Sequence, residues 1–170
     1  KDQLNKAIKP HGLFFAPELS TSNRATIGGM INTDASGQGS VMYGKTRDHV
    51  LSLKTVLLDG YLLESSPIDD DTLAKIQSGS DYSAHAHRIL DSIQKSKAQE
   101  IKDTFPALNR CLTGYDLAHI RTEDGRFNMN SVLCGSEGTL GFIVEAKVNL
   151  LTIPTHAALV NIRYDSFEGS

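Results

Sequence analysis

The stretch HVLSLKTVLLDGYLLE, residues 49–64, decides how this chain folds. Val50, Leu51, Leu53, Val56, Leu57 and Leu58 crowd apolar side chains into its first part, which closes on Asp59-Gly60 before Tyr61, Leu62 and Leu63 resume the pattern. An Asp-Gly pair supplies the positive φ that a tight turn between antiparallel strands needs. The stretch therefore predicts strand, turn, strand, with strands over 49–59 and 61–64.

A second strand signal lies far downstream. In residues 141–150, Phe142, Val144, Ala146, Val148 and Leu150 alternate with Glu145, Lys147 and Asn149, the period of a half-buried strand. Residues 158–164, after Pro154, suggest one more strand. The expected sheet is mainly antiparallel. Between the two signals, residues 69–102 are polar and charged, with Leu73, Ile76, Ile89, Leu90, Ile93 and Ile101 widely spaced, which predicts a solvated helical insert. Asp69, Asp70 and Asp71 suit the start of a helix, where carboxylates oppose the macrodipole and cap free amides, better than a metal site.

Upstream, residues 4–13 read as the end of an amphipathic helix with Leu4, Ala7 and Ile8 on one face, stopped at Pro10 and Gly12. From 14 to 44 the chain is dominated by Gly, Ser, Thr and Asn, and residues 25–32 are the one part expected to turn helical. So long a stretch inside a compact domain points to a working loop.

Composition narrows the function. The 170 residues suffice for one domain with a core, and the 39% hydrophobic and 22% charged shares are those of a soluble globular chain. With 17 basic and 20 acidic side chains and a net charge of -3, the chain lacks the electrostatic footprint of a nucleic-acid binder. No apolar run reaches the ~20 residues that span a bilayer, and the first residues carry no signal-peptide pattern, so a cytoplasmic location is expected. Position 1 is a lysine with no initiating methionine, which suggests a start inside a longer protein. Cys111 and Cys134 match no metal-ligand spacing and read as reduced thiols, a disulfide being the alternative.

Two glycine loops carry the candidate chemistry. In ATIGGMINT (25–33), Gly28 and Gly29 stand among small polar side chains, where a backbone without Cβ atoms can approach a ligand and successive N–H groups can face a phosphate. A tight turn at a helix end is the plainer reading. The loop GSEGTLG (135–141) repeats the question with three glycines leading into a strand. Neither loop has Walker or Rossmann spacing. None of His11, His49, His85, His87, His119 and His156 sits in a ligand-spaced cluster, and no Gly-x-Ser-x-Gly elbow is present. His85 and His87 read as solvent-facing positions on a helix. No catalytic residue and no metal ligand is assigned.

Together, PELSTSNRATIGGMINTDASGQGSVMYGKTRDHVLSLKTVLLDG and LCGSEGTLGFIVEAKVNLL closely resemble the second half of the FAD-binding domain of the vanillyl-alcohol-oxidase (PCMH) type. Within that superfamily the chain looks like the D-lactate and D-2-hydroxyglutarate dehydrogenase branch. The part from Phe14 to Lys45 is most similar to long bacterial enzymes that add an iron–sulfur portion.

The resemblance implies an α+β fold, a mainly antiparallel sheet flanked by helices that holds FAD against a smaller, earlier subdomain. It implies that residues 1–170 are a partial FAD-binding domain with a largely helical insert at 69–130. The family's earlier phosphate loop and its later substrate and iron–sulfur domains would lie outside. The matching positions that it places near the cofactor are Pro17, Ser20, Thr21, Thr26, Ile27, Gly28, Gly29, Thr33 and Gly37, then Gly138, Thr139, Gly141 and Ile143. Many relatives read Gly-Gly-Asn-Ile-Ala-Thr-Asn-Ala-Gly-Gly over residues 28–37, so this chain departs from them at Met30, Asn32, Asp34 and Ser36.

The function expected of the parent is oxidation of a D-2-hydroxy acid, D-2-hydroxyglutarate before D-lactate, by hydride transfer to FAD. A non-catalytic binding module that keeps the fold without flavin is the alternative. The 170 residues alone are expected to be inactive and to bind FAD weakly or not at all. Their expected partners are the missing parts of the same polypeptide and, for the isolated piece, a second copy of itself.

Overall fold

The structure, a computed structural model, describes residues 1–108, 114–164 and 166–169. Helix α1 (Asp2–Ile8) runs through a 3-10 turn (Lys9–His11) and Gly12, φ 70, into the short strand β1 (Leu13–Phe14). Within the glycine-rich stretch lie α2 (Ile27–Asn32), α3 (Ser40–Tyr43) and a 3-10 turn (Thr46–His49). The main strands are β2 (Val50–Leu57), β3 (Leu62–Ser65) and β4 (Gly141–Val148). Between β3 and β4 come α4 (Asp70–Gln77), α5 (Tyr82–Ser96), α6 (Ala98–Thr104) and α7 (Asn130–Leu133). Strand β5 (Leu151–Thr152) pairs antiparallel with β1.

Strands β3, β2 and β4 form one antiparallel sheet in that order, as the hairpin signal requires. The turn is drawn by Asp59 and Gly60. Gly60 has φ 85, the Gly60 N–H donates to the Leu57 carbonyl at 2.9 Å, and the Tyr61 N–H donates to Asp59 Oδ1 at 3.0 Å. The strand ends at Leu57, not Asp59, which leaves Leu58 on the turn and 86% exposed.

One face of the sheet makes the core. Val50, Leu53, Leu57 and Leu63 pack with Ile31 of α2, Leu73 of α4, Leu90 of α5, Leu133 of α7, and with Ile120, Phe127 and Met129 of the connecting segment. The helical segment is therefore the second layer of the fold, and the expectation of a merely solvated insert is corrected. Its sparse apolar positions mislead because α4 buries only Leu73, while α5 buries the polar His87 and Asp91 beside Ala84 and Leu90. Each supplies one or a few core residues, so neither shows a continuous apolar stripe. Asp69 and Asp81 cap α4 and α5, accepting the Thr72 and Ala84 N–H groups at 2.7 and 2.8 Å. Helical structure ends at Thr104; the described residues from there to Met129 form turns and isolated bridges.

Strand β4 departs from simple alternation. Thr55 pairs with Ile143 but Lys54 with Glu145, so Val144 is an extra residue in a bulge. A one-residue insertion flips which side chains face inward. Gly141 and Ile143 face the core side before the bulge and Ala146 after it, whereas Phe142 and Val144, expected to be inward, are 72% and 51% exposed.

Three further expectations are revised. His87 is buried: its ring lies 5.6 Å from that of Phe127 and its Nδ1 lies 2.8 Å from the Ser83 carbonyl, while His85 is exposed. Residues 158–164 are exposed and form no strand, because no sheet edge among the described residues meets them. Residues 14–44 hold α3 as well as α2, and Phe15, Ala16, Met30 and Ile31 of this stretch are buried. Cys134 is free and buried, and burial pushes its thiol far above the ordinary range; Cys111 lies outside the described residues. Among the described residues no helix is long and apolar enough to cross a membrane.

The two faces of the sheet should answer differently to mutation. Leu53→Ala should cost about 2–5 kcal/mol, the range for a large-to-small change in a core, whereas Phe142→Ser should change stability by less than about 1 kcal/mol. Urea unfolding of both variants measures this, and a loss at Phe142 equal to that at Leu53 would contradict the bulged register.

Candidate functional site

The two glycine loops, more than a hundred residues apart in sequence, are joined by main-chain hydrogen bonds. Helix α2 ends at Asn32, and its last carbonyls have no intrahelical donor. The Gly135 N–H donates to the Ile31 carbonyl at 2.9 Å, and the Glu137 N–H donates to the Asn32 carbonyl at 2.8 Å. Gly135, φ 82, also lets the chain pass close to its neighbours: a Cβ there would lie 2.8 Å from the Gly114 carbonyl oxygen.

At the other end of α2, Thr26 is the N-cap. Its Oγ1 accepts the Gly29 N–H at 3.1 Å and its carbonyl accepts the Met30 N–H at 3.0 Å. The Thr33 hydroxyl donates back to the Gly29 carbonyl at 3.0 Å. Gly29 lacks a positive φ. A Cβ at 29 would instead sit 2.9 Å from Thr26 Oγ1, so glycine here protects the cap. Gly28 differs, because a Cβ there would meet nothing within 4 Å.

On the second loop Glu137 and Gly138 have φ 51 and 79, and the space beside Gly138 is likewise open. Thr139 is held on two sides: its Oγ1 donates to the Ser136 carbonyl at 2.6 Å and lies 2.6 Å from the Tyr115 hydroxyl. Thr21, Thr26, Gly29, Thr33, Gly138 and Thr139 are exposed and Gly28 is half-buried. The result is an open shelf of small side chains and accessible backbone.

The other expected site residues range from exposed to fully buried. Ser20 is exposed in the turn ahead of α2, where the Arg24 and Ala25 N–H groups donate to the Thr21 carbonyl at 2.9 and 3.0 Å. Pro17 is fully buried, and Ile27 and Ile143 are half-buried against the core. Gly37 packs on the backbone of Glu18. Gly141 packs on β2, where a Cβ would meet the Val56 carbonyl oxygen at 2.6 Å.

Behind the shelf lies an ion cluster that the sequence reading did not identify. Lys45 Nζ meets Asp34 Oδ2 at 2.6 Å with both side chains buried. Arg47 pairs with Asp116, which also holds His119 Nδ1 at 2.8 Å. Burial, followed by the Arg47 charge, holds the His119 imidazole below its ordinary range. The one visible signal was Asp34, a departure from the resembling family; the partners come from separate segments and show no periodicity.

The glycines should separate by substitution. Gly28→Ala should be tolerated or stabilise by up to about 1 kcal/mol, since alanine favours helix and meets open space. Gly141→Ala should destabilise by about 1–3 kcal/mol, the usual cost of overpacking. Thermal and urea unfolding check this, and the reverse order would show that the assignment of open and closed positions is wrong.

The profile of a family described as FAD binding domain matches residues 2–66. A D-2-hydroxyglutarate dehydrogenase of Pseudomonas putida is 66% identical over 167 residues, covering 98% of this chain and 17% of that protein. The enzyme of the same name from Escherichia coli is 48% identical over 171 residues, covering 100% of this chain and 17% of its own length. A D-lactate dehydrogenase of Archaeoglobus fulgidus is 46% identical over 166 residues, 98% of this chain and 26% of that protein. The chain thus spans about a sixth of the D-2-hydroxyglutarate dehydrogenases it matches. Residues 2–66 thus match the FAD binding domain family, and the chain as a whole is similar to one segment of the D-2-hydroxyglutarate dehydrogenases.

Proposed function

We propose that this chain is the cofactor-holding segment of a longer FAD-dependent dehydrogenase acting on a D-2-hydroxy acid, with D-2-hydroxyglutarate favoured and D-lactate second. The observation that carries the reading is the pairing of the two open glycine loops through the Ile31 and Asn32 carbonyls. A lone glycine pair at a helix start has an ordinary structural explanation. Two such loops fixed side by side, each with backbone open beside a glycine, form a surface that suits a large, flat, phosphate-bearing ligand. The printed names of the relatives supply the substrate class, and the similarity to a D-lactate dehydrogenase keeps the second substrate in view.

The residues present fit FAD. The Gly28 amide, the hydroxyl oxygens of Thr21, Thr26 and Thr33 and the bare backbone of Gly29 would hold it from one side, and Gly138 and Thr139 from the other. Pro17, Ser20, Ile27, Gly37, Gly141 and Ile143 complete the set by shaping and supporting these loops. Bound FAD would supply the acceptor for the hydride lost by the substrate carbon. This segment's own part is to bind and orient. Thr139, fixed by Ser136 and Tyr115, presents its hydroxyl region without a rotamer search, and the Thr26 cap keeps the first turn of α2 facing the shelf. The helical layer within 69–130 supports the sheet beneath both loops. A whole-protein location in the cytoplasm, the substrate and iron–sulfur domains, and dimerisation of the isolated segment belong to the same proposal.

A shelf is only part of a cleft, and a cofactor of this size normally buries most of its surface. The 170-residue segment alone should therefore bind FAD with a dissociation constant weaker than about 1 µM, roughly -8 kcal/mol. The full-length protein should purify yellow, and D-2-hydroxyglutarate should bleach its flavin absorbance under anaerobic conditions faster than D-lactate does. Gly28→Val should lower its flavin content while leaving the far-ultraviolet circular dichroism unchanged. A colourless full-length protein that gains no flavin on incubation would instead support a binding module without cofactor.

A further inference from the structure

We propose that Asp34 and Lys45 are a positioning pair, which holds the two glycine loops at the separation the cofactor needs; the proposal rests on the FAD reading above. Lys45 is buried with 2% of its side chain exposed, and Asp34 with 8%. A lysine so deep keeps its charge only beside an anion, so its position and that of the Asp34 carboxylate are fixed together. Asp34 is also held in a backbone conformation that residues with a Cβ rarely take, φ 45.

That carboxylate is occupied on both oxygens. Oδ2 meets Lys45 Nζ at 2.6 Å, and Oδ1 accepts the Arg47 N–H at 2.9 Å. Beside them, the Thr46 N–H and hydroxyl both donate to the Ala35 carbonyl, at 3.1 and 2.7 Å. The segment after α2 is thus laced to residues 45–47 along its length. Asp34 lies two residues after Asn32, its N–H donates to the same Ile31 carbonyl that receives the second loop, at 3.1 Å, and its Cβ lies 3.5 Å from where a Cβ of Gly135 would be. Any shift of Asp34 therefore moves the acceptors on which residues 135–137 hang.

The tie continues beyond the pair. Arg47 engages Asp116, the neighbour of Tyr115, whose hydroxyl holds Thr139 at 2.6 Å. One connected set of contacts runs from the end of the first loop to the far side of the second. Neither Asp34 nor Lys45 needs to touch FAD to set the width of the shelf.

A double-mutant cycle on the full-length protein tests this, with FAD titrated into the deflavinated protein. Asp34→Asn and Lys45→Met should each weaken FAD binding by at least about tenfold, and the double variant should be no worse than either single, because both break one unit. The visible bands of bound flavin should shift in the variants. Hydrogen exchange in the proteins without FAD should quicken at residues 28–33 and 136–139 and stay unchanged in α4 and α5. If a single variant does not fold, the double variant, which leaves no uncompensated buried charge, carries the comparison. Wild-type affinity in the folded variants, additive losses, or faster exchange throughout the fold would overturn the pair's positioning role. Failure of wild type to bind FAD would instead overturn the cofactor reading, and the exchange comparison would still decide whether the pair ties the loops.

Discussion

The donation of the Gly135 and Glu137 amides to the last carbonyls of α2 is the constraint on which the rest of the site depends. A short helix leaves its terminal carbonyls without partners, and burying them unpaired is costly. Here the second glycine loop supplies a donor to the Asn32 carbonyl and a second one to the Ile31 carbonyl, which also accepts the Asp34 N–H at 3.1 Å. To do so it must turn sharply, which accounts for the run of positive φ values at Gly135, Glu137 and Gly138. The strain at Glu137, which has a Cβ, is accepted because that residue delivers one of the two amides.

The sheet then fixes where the loops stand. Gly141 lies against the Val56 carbonyl, so the second loop enters β4 at a set distance from β2. The bulge at Val144 reverses the facing of β4 two residues later, turning Ala146 toward the core and leaving Phe142 and Val144 outward. Val56, Leu62 and Phe142 consequently form one cross-strand row on the outer face, beside the charged row of Glu64, Lys54 and Glu145. Core packing through Leu53, Leu57 and Leu63 carries the stability, and the loops above it are free to be open. Helical cover from α4 and α5 is braced across the gap by Arg121, which reaches Asp70 and Asp91. Burial pushes the Asp91 carboxyl up, but Lys95, Gln77 and Arg121 outweigh it and hold it below the usual range.

How much of this was legible in the sequence follows from how local each signal is. The Asp59-Gly60 turn and the run before it predict the β2–β3 hairpin, because turn geometry and strand propensity act over a few residues. The capping role of Asp69 ahead of α4, with Asp70 and Asp71 in its first turn, is readable for the same reason. The bulge was not, since 141–150 alternates well on paper and only pairing with β2 shows that one residue is extra. His87 looked exposed because α5 is polar around it, yet Phe127, forty residues on, covers it. Glycine loops announced themselves by composition, but their roles did not: Gly29 guards a cap and Gly141 a strand contact, while Gly28 and Gly138 leave open space. The Asp34–Lys45 and Arg47–Asp116 pairs are non-local and carry no periodic mark. Only the departure at Asp34 hinted at them.

The central claim is that residues 27–33 and 137–140 act as one surface for FAD. Hydrogen exchange on the full-length protein, compared with and without FAD, tests it directly. Slowed exchange in both segments together, with no change at residues 62–65 on the edge strand, is the predicted result. Protection confined to one segment, or absent from both while FAD is bound, would contradict the account.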